Sequence, residues 1–174
     1  AIEGVAAFRE EDAAILSQEN GKVRFEAWVD ALVFEIRWGL ALSLADEVET
    51  SKVLEPIPGA IPTRTTVAQR EDGVHQIVPH ALLAGNAVIV KPPLTAPLAT
   101  ARFIQRIAEK LPAGVLNVVT GADADMAGLI QNDDVAKVCF TGSVGGGKRM
   151  MEMASKSLTR VTLELGGNDA AVIL

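Results

Sequence analysis

The spacing of apolar residues changes along the chain, and each change marks a different kind of predicted structure. Residues 5–18 place their apolar side chains on one helical face, and Asn20-Gly21 then marks the end of a helix. Residues 25–46 repeat the helical spacing over a longer stretch. The sequence therefore predicts a helical amino-terminal segment over residues 1–54.

Prolines and a threonine-rich stretch interrupt this pattern in the middle of the chain. The prolines between residues 56 and 62 predict an extended loop. Residues 63–70 alternate polar and apolar side chains, which is typical of a half-exposed strand. Residues 71–73 predict a turn, and residues 74–78 predict a short strand that returns from it. We interpret residues 55–79 as a short β excursion.

Short apolar runs alternate with helical stretches from Gly85 onward. The apolar runs predict buried strands, at residues 87–90, 115–119, 135–140, 161–165 and 170–174. The stretches between them predict helices, at residues 98–111, 123–131 and 145–157. Strands that alternate with helices favour right-handed βαβ units and a doubly wound parallel sheet. The predicted fold class is α/β.

Composition narrows the functional classes. The 174 residues are 49% hydrophobic, and 22 acidic against 16 basic side chains give a net charge of −6. This acidic balance disfavours nucleic-acid binding. No apolar run approaches the roughly 20 residues that span a bilayer, so we expect a soluble protein, and the single cysteine favours the reducing cytoplasm as its compartment. The one cysteine, Cys139, excludes an internal disulfide, and beside two histidines it offers no zinc-binding spacing, so no metal site is predicted.

Chemically suggestive residues follow three of the predicted strands, and in parallel sheets ligands bind at the carboxyl ends of strands. Lys91, followed by Pro92, leaves the first of them. A glycine-rich turn, Gly142 to Lys148, joins the second to a helix and offers backbone N–H groups to a phosphate. Glu164 ends the third just before Gly166-Gly167, a place suited to a general base. Each feature also has a simpler interpretation: a solvated lysine, a flexible turn and a surface carboxylate.

The glycine turn also fits the first part of a P-loop, because Gly142 to Lys148 has the pattern Gly-x-x-x-x-Gly-Lys. The next position, which would supply a magnesium-binding Ser or Thr, is Arg149. A P-loop phosphotransferase is therefore disfavoured.

Together these stretches resemble the aldehyde dehydrogenase superfamily. The resemblance rests on residues 85–92 (GNAVIVKP), 140–143 (FTGS) and 163–167 (LELGG), in that order along the chain. It implies that residues 80–174 form part of a dinucleotide-binding domain. The expected architecture is a Rossmann-like parallel sheet preceded by the helical segment and the short β excursion.

The resemblance also implies roles for individual residues. Lys91 is expected to contact the adenine ribose of NAD or NADP. Gly142, Ser143 and Gly147 are expected to support the cofactor phosphates. Glu164 is expected to activate the water molecule that hydrolyses a thioester intermediate.

The sequence departs from the family pattern at three points. The family's nucleophilic cysteine lies downstream of the Glu-Leu-Gly-Gly signature, beyond Leu174, and Cys139 is interpreted as a buried strand residue. A Pro-Trp-Asn stretch and a following helix are expected to be absent near Pro79, and with them an oxyanion donor. The acidic residue expected three positions after Lys91 is Leu94, so we predict similar affinity for NAD and NADP.

Two functions remain open at this point. The first is NAD(P)-dependent oxidation of a small-molecule aldehyde to a carboxylic acid by a homo-oligomer, with this chain alone inactive. The second is a non-catalytic binding or interaction protein that retains part of the fold.

Overall fold

Two helices precede the sheet in the computed structural model, which describes residues 6–44, 65–69, 71–167 and 170–171. They lie at Arg9–Asn20 and Arg24–Ser43 and confirm the predicted helical segment over its described part. Gly21 ends the first helix with a φ of 75°, a left-handed conformation that favours glycine. None of the described helices is long and apolar enough to cross a membrane.

Five parallel strands form the sheet of the described chain, in the order β3-β2-β1-β4-β5. In chain order they are β1 Thr65–Gln69, β2 Val88–Lys91, β3 Leu116–Val118, β4 Val135–Gly142 and β5 Arg160–Leu165. The chain runs outward from β1 through β2 to β3, and then returns to the other side of β1 for β4 and β5. The order in which successive strands are added therefore reverses between β1 and β4, and a ligand crevice is expected outside the carboxyl ends of these two strands.

Helices connect the strands along the chain. They lie at Glu71–Leu83, Leu98–Ala108, Ala127–Ile130 and Val144–Ser155, with 3-10 turns at Ala6–Phe8 and Asp123–Met126. The parallel pairing and this alternation confirm the predicted α/β class and the Rossmann-like sheet. Of the strand predicted over residues 170–174, the structure describes only residues 170 and 171, which belong to no helix or strand.

The predicted strand over residues 74–78 is wrong, because these residues lie inside the Glu71–Leu83 helix. Pro79 favours a break in a helix, since proline cannot donate a backbone hydrogen bond, yet here it is buried within one. The apolar residues of the second half of this helix have helical spacing and pack into the core: Ile77, Val78, Ala81 and Leu82. The helix that we expected to be absent before the Leu-Ala-Gly-Asn stretch is therefore present.

Strand β1 lies within the predicted β excursion but is the central strand of the sheet. It pairs in parallel with β2 on one side and with β4 on the other. The sequence pattern predicts where strands lie along the chain but not their order in the sheet. The central position of β1 was therefore not predictable from the sequence. The division into residues 1–54, 55–79 and 80–174 stays a prediction, and the sheet begins inside the second of these segments.

Two apolar clusters form where the helices pack on the sheet. One cluster joins the Arg24–Ser43 helix to β2, β3 and the Leu98–Ala108 helix, and in it the rings of Phe34 and Phe103 have centroids 3.7 Å apart. A second cluster packs Phe140 of β4 against Met150 of the Val144–Ser155 helix. Burial of such large apolar side chains is the main source of stability. Both clusters fix the strand ends that carry the candidate chemistry.

Ion pairs fasten the first helix to the Leu98–Ala108 helix. Arg106 Nη1 lies 2.5 Å from Asp12 Oδ1, and the Asp12 side chain is only 10% exposed. Burial raises the pKa of the Asp12 carboxyl above its ordinary value, although the hydrogen bond and charge of Arg106 act in the opposite direction. The first helix is therefore held against a helix that packs on β2 and β3.

Candidate functional site

One row of paired residues crosses the carboxyl ends of four strands. Gln69 of β1 pairs with Lys91 of β2 and with Phe140 of β4. Phe140 pairs in turn with Leu163 of β5. Since neighbouring strands lie about 4.8 Å apart, the three segments singled out in the sequence lie along one edge of the sheet, within about 15 Å of one another.

Lys91 is the last residue of β2, and its side chain is buried rather than solvated. Only 2% of that side chain is exposed, and its Nζ donates to Asp123 Oδ1 at 3.0 Å. Asp123 begins the 3-10 turn that follows β3, and its side chain is 57% exposed. The predicted cation therefore lies beneath a carboxylate that the sequence interpretation did not single out.

Ser143 caps the helix that follows β4. Its Oγ accepts a hydrogen bond from the Gly146 N–H at 3.0 Å, and its carbonyl accepts one from the Gly147 N–H at 2.9 Å. A hydroxyl that accepts in this way still has its own O–H to donate. Ser143 therefore defines the helix start and keeps one donor for a ligand.

The glycines of this turn have different roles. A Cβ on Gly142 or Gly146 would lie 2.5 or 2.7 Å from Cζ of Phe140, and a Cβ on Gly147 would lie 2.7 Å from Cδ2 of Leu165. Gly142 and Gly146 thus leave room for the buried Phe140 ring, whereas the Leu165 side chain near Gly147 is exposed and can shift. Gly145 is different, because a Cβ there would meet nothing within 4 Å.

Val144 and Gly145 are the residues whose backbone N–H groups can donate to an anion. The first N–H groups of a helix have no acceptor within it, and those of the next two residues already bond to Ser143. Val144 and Gly145 are both exposed, and the partial positive charge of the helix N-terminus is concentrated there. The sequence interpretation named Gly142, Ser143 and Gly147 instead. Recognising Ser143 as the cap would have identified the following two residues.

Glu164 lies near the end of β5, opposite Thr141 of β4. Its side chain is exposed. It therefore lies one strand away from the glycine turn and three strands away from Lys91. The structure brings Glu164 to the same edge as the other candidates but does not place it in contact with them.

Cys139 lies inside β4, between Ala68 of β1 and Thr162 of β5. The residue is only 3% exposed, and burial raises the pKa of its thiol above the ordinary value. A thiol that stays protonated and covered is a poor nucleophile. This agrees with its interpretation as a buried strand residue.

Within the described ranges there is no group of three or more His, Cys, Asp or Glu side chains that could hold a metal ion. His75 and His80 both lie in the Glu71–Leu83 helix. The sheet edge offers backbone N–H donors at the start of the Val144–Ser155 helix and the carboxylates of Asp123 and Glu164.

Comparison with known sequences points to one family. The sequence model of the aldehyde dehydrogenase family matches residues 73–174. Human 4-trimethylaminobutyraldehyde dehydrogenase is 44% identical over 94 residues, which make up 53% of this chain and 19% of that protein. The bovine enzyme of the same name matches to the same extent. The chain thus spans only a small part of the curated relatives that it matches.

Solved structures extend the likeness over nearly the whole chain. An NAD-dependent aldehyde dehydrogenase from Sinorhizobium meliloti has a TM-score of 0.83 at 27% identity, over 95% of this chain and 36% of that one. A 3,6-anhydro-L-galactose dehydrogenase in complex with NADP has a TM-score of 0.82 at 27% identity, over 95% and 38%. Betaine aldehyde dehydrogenase from Staphylococcus aureus in complex with NAD+ has a TM-score of 0.82 over 95% and 36%, and its 24% identity supports the fold alone.

Proposed function

Because the chain belongs to the aldehyde dehydrogenase family, we propose that it forms part of the dinucleotide-binding unit of an enzyme that oxidises an aldehyde to a carboxylic acid. The supporting observation is the row of paired residues that brings Lys91, the glycine turn and the end of β5 to one edge of the sheet. One solved relative is an NAD-dependent enzyme and another is in complex with NADP, and we propose the same two cofactors here. When bound, such a cofactor accepts a hydride from the oxidised carbon.

The turn after β4 suits the pyrophosphate of a dinucleotide. Val144 and Gly145 offer backbone N–H groups, Ser143 offers its O–H, and the helix N-terminus favours a negative charge. Gly145 leaves open space where a phosphate would approach closely. Gly142 and Gly147 support this binding indirectly, by letting Phe140 and Leu165 pack beneath the turn.

Glu164 is proposed as the general base for hydrolysis of an acyl-enzyme intermediate. Its carboxylate would take a proton from water while the water oxygen attacks the acyl carbon and the thiolate leaves. That intermediate requires a reactive cysteine, and Cys139 is too deeply buried to supply it. We therefore propose that the 174-residue chain alone does not turn over aldehydes.

Cofactor binding is the direct test. Titration calorimetry with NAD+ and NADP+ should show binding of at least one of them to the full chain. Ser143→Ala should weaken cofactor binding for two reasons. The substitution removes an O–H that can donate to the phosphates, and it removes the side chain that caps the helix. Ser155→Ala is the matched control, since its Oγ donates to the Glu152 carbonyl at the far end of the same helix. Absence of binding at millimolar cofactor would favour the non-catalytic interaction protein instead.

Turnover is the second test. The chain, mixed with several small aldehydes and either cofactor, should form no reduced cofactor. Turnover that is lost in Cys139→Ala would show that Cys139 is the nucleophile and would contradict the proposal. If the chain is joined to a segment with a reactive cysteine, Glu164→Gln should slow hydrolysis of the acyl-enzyme more than hydride transfer. A burst of reduced cofactor followed by slow turnover would reveal this.

A further inference from the structure

We propose that Asp123, held by Lys91, makes this chain prefer NAD over NADP. The inference rests on the proposed binding of a dinucleotide at the carboxyl edge of the sheet. Asp123 lies on the segment after β3. From Leu94 alone we predicted similar affinity for NAD and NADP, and the position of Asp123 changes that prediction to a preference for NAD.

The position of Asp123 is set by the pairing of β2 and β3. Val90 pairs with Val118, and the Val119 N–H donates to the Val90 carbonyl at 3.0 Å, just before Lys91. The chain then turns so that Asp123 lies above the end of β2. A salt bridge across the two strand ends fixes its carboxylate there.

The unequal exposure of the two partners determines which charge a ligand meets. The Lys91 side chain is 2% exposed and that of Asp123 is 57% exposed. A ribose that lies over the end of β2 would therefore contact the carboxylate before the ammonium group. Leu94, which is 59% exposed, adds no charge of its own.

A carboxylate in this position discriminates between the two cofactors by simple electrostatics. It accepts hydrogen bonds from the ribose hydroxyl groups of NAD, the role that acidic residues have in other dinucleotide-binding sheets. It repels the 2′-phosphate of NADP, which carries nearly two negative charges at neutral pH. Lys91 supports this role because its ion pair with Asp123 holds the carboxylate in place.

Asp125 provides a matched control two residues away. Its Oδ2 accepts a hydrogen bond from the Ala122 N–H at 3.1 Å, so its carboxylate serves the local turn. Both aspartates are exposed and carry the same charge. Only the one paired with Lys91 lies over the strand end.

The test compares dissociation constants for NAD+ and NADP+ by titration calorimetry on the full chain. We expect NAD+ to bind more tightly than NADP+ at low salt, because the exposed carboxylate lies nearer the 2′-phosphate than the ammonium does. The difference should be below the roughly tenfold that an isolated carboxylate would give, since the Lys91 ammonium offsets part of the repulsion. The preference should shrink near 1 M salt, where screening acts over about 3 Å. Asp123→Asn should reduce the preference, mainly by improving NADP+ binding, while Asp125→Asn leaves it unchanged.

Several results would overturn the proposal. Equal affinities for the two cofactors in the unmodified chain would do so, as would a preference that does not depend on salt. An unchanged preference in folded Asp123→Asn would do so as well. If Asp123→Asn does not fold, the salt dependence of the unmodified chain decides. Failure to bind either cofactor is a different result, because it contradicts the proposed function on which this inference rests.

Discussion

Glu19 Oε2 accepts a hydrogen bond from the backbone N–H of Ala99 at 3.2 Å, across 80 positions of sequence. The same carboxylate accepts from the Leu98 N–H. A side chain of the first helix thereby caps the Leu98–Ala108 helix, whose own N-cap residue, Pro97, supplies no side-chain hydrogen bond. The first helix thus supplies the cap of a helix that packs on the sheet.

Loss of this cap should destabilise the fold. Glu19→Ala leaves the N–H groups of Leu98 and Ala99 without their acceptor, and we expect the free energy of unfolding to fall by about 1–2 kcal/mol. Denaturant titration measures this change. Gln18→Ala, at an exposed neighbouring position, should change it by less than about 0.5 kcal/mol. Equal effects of the two substitutions would show that the cap contributes nothing.

The buried carboxyl of Asp12 should make stability depend on pH. Because burial raises the pKa of this carboxyl in the folded state above its ordinary value, the folded chain holds the proton more tightly than the unfolded chain. Its contribution to stability is therefore fully present below that value and falls as the pH rises through the folded pKa.

Asp12→Asn is the variant that isolates this effect. The stability of the unmodified chain relative to Asp12→Asn should decline as the pH rises above about 4, and denaturant titrations at a series of pH values measure the difference. Asp133→Asn, at an exposed position, reports the effect of removing a charge outside the core. A relative stability that increases over this range would contradict the assignment of burial as the dominant cause.

Two adjacent glycines should respond to alanine in opposite directions. Gly145→Ala meets open space and improves helix propensity, so we expect stability to rise by up to about 1 kcal/mol. Gly146→Ala places a Cβ 2.7 Å from the buried Phe140 ring, and we expect a loss of about 1–3 kcal/mol. Thermal denaturation of both variants distinguishes them. A loss of stability in Gly145→Ala would mean that the turn is more crowded than the structure indicates.

The Cys139 thiol should react slowly in the folded chain. Its burial and raised pKa keep the thiolate scarce and covered, so an aromatic disulfide reagent should modify it only as β4 opens. Denaturant should restore the rate of an ordinary cysteine. Rapid modification of the native chain would instead indicate an accessible nucleophile, and would reopen its role in catalysis.

The sequence predicted which residues follow the strand ends, but it did not predict which segments come into contact. Ser143, the glycines after β4 and Glu164 could be found because each lies beside a predicted strand end. Asp123 could not, because its partner is 32 positions away and their contact depends on the register of β2 and β3. The apolar residues of 74–83 have helical spacing, but Pro79 and the β-branched residues before it favoured the prediction of a strand, which is wrong.

The central position of β1 governs how the chain can assemble. The connections from β1 to β2 and from β2 to β3 close short loops in sequence. Pairing of β4 with the other side of β1 instead closes a longer loop, which comprises residues 70–134. In the described sheet, β1 is the one strand that links the β2–β3 half to the β4–β5 half. Both halves have local connections, with residues 70–87 between β1 and β2 and residues 143–159 between β4 and β5, so we expect the non-local pairing of β1 with β4 to form last. Until β4 arrives, one edge of β1 presents unpaired backbone groups to other chains. The rate of that single docking step therefore sets how long the nascent protein is exposed to aggregation.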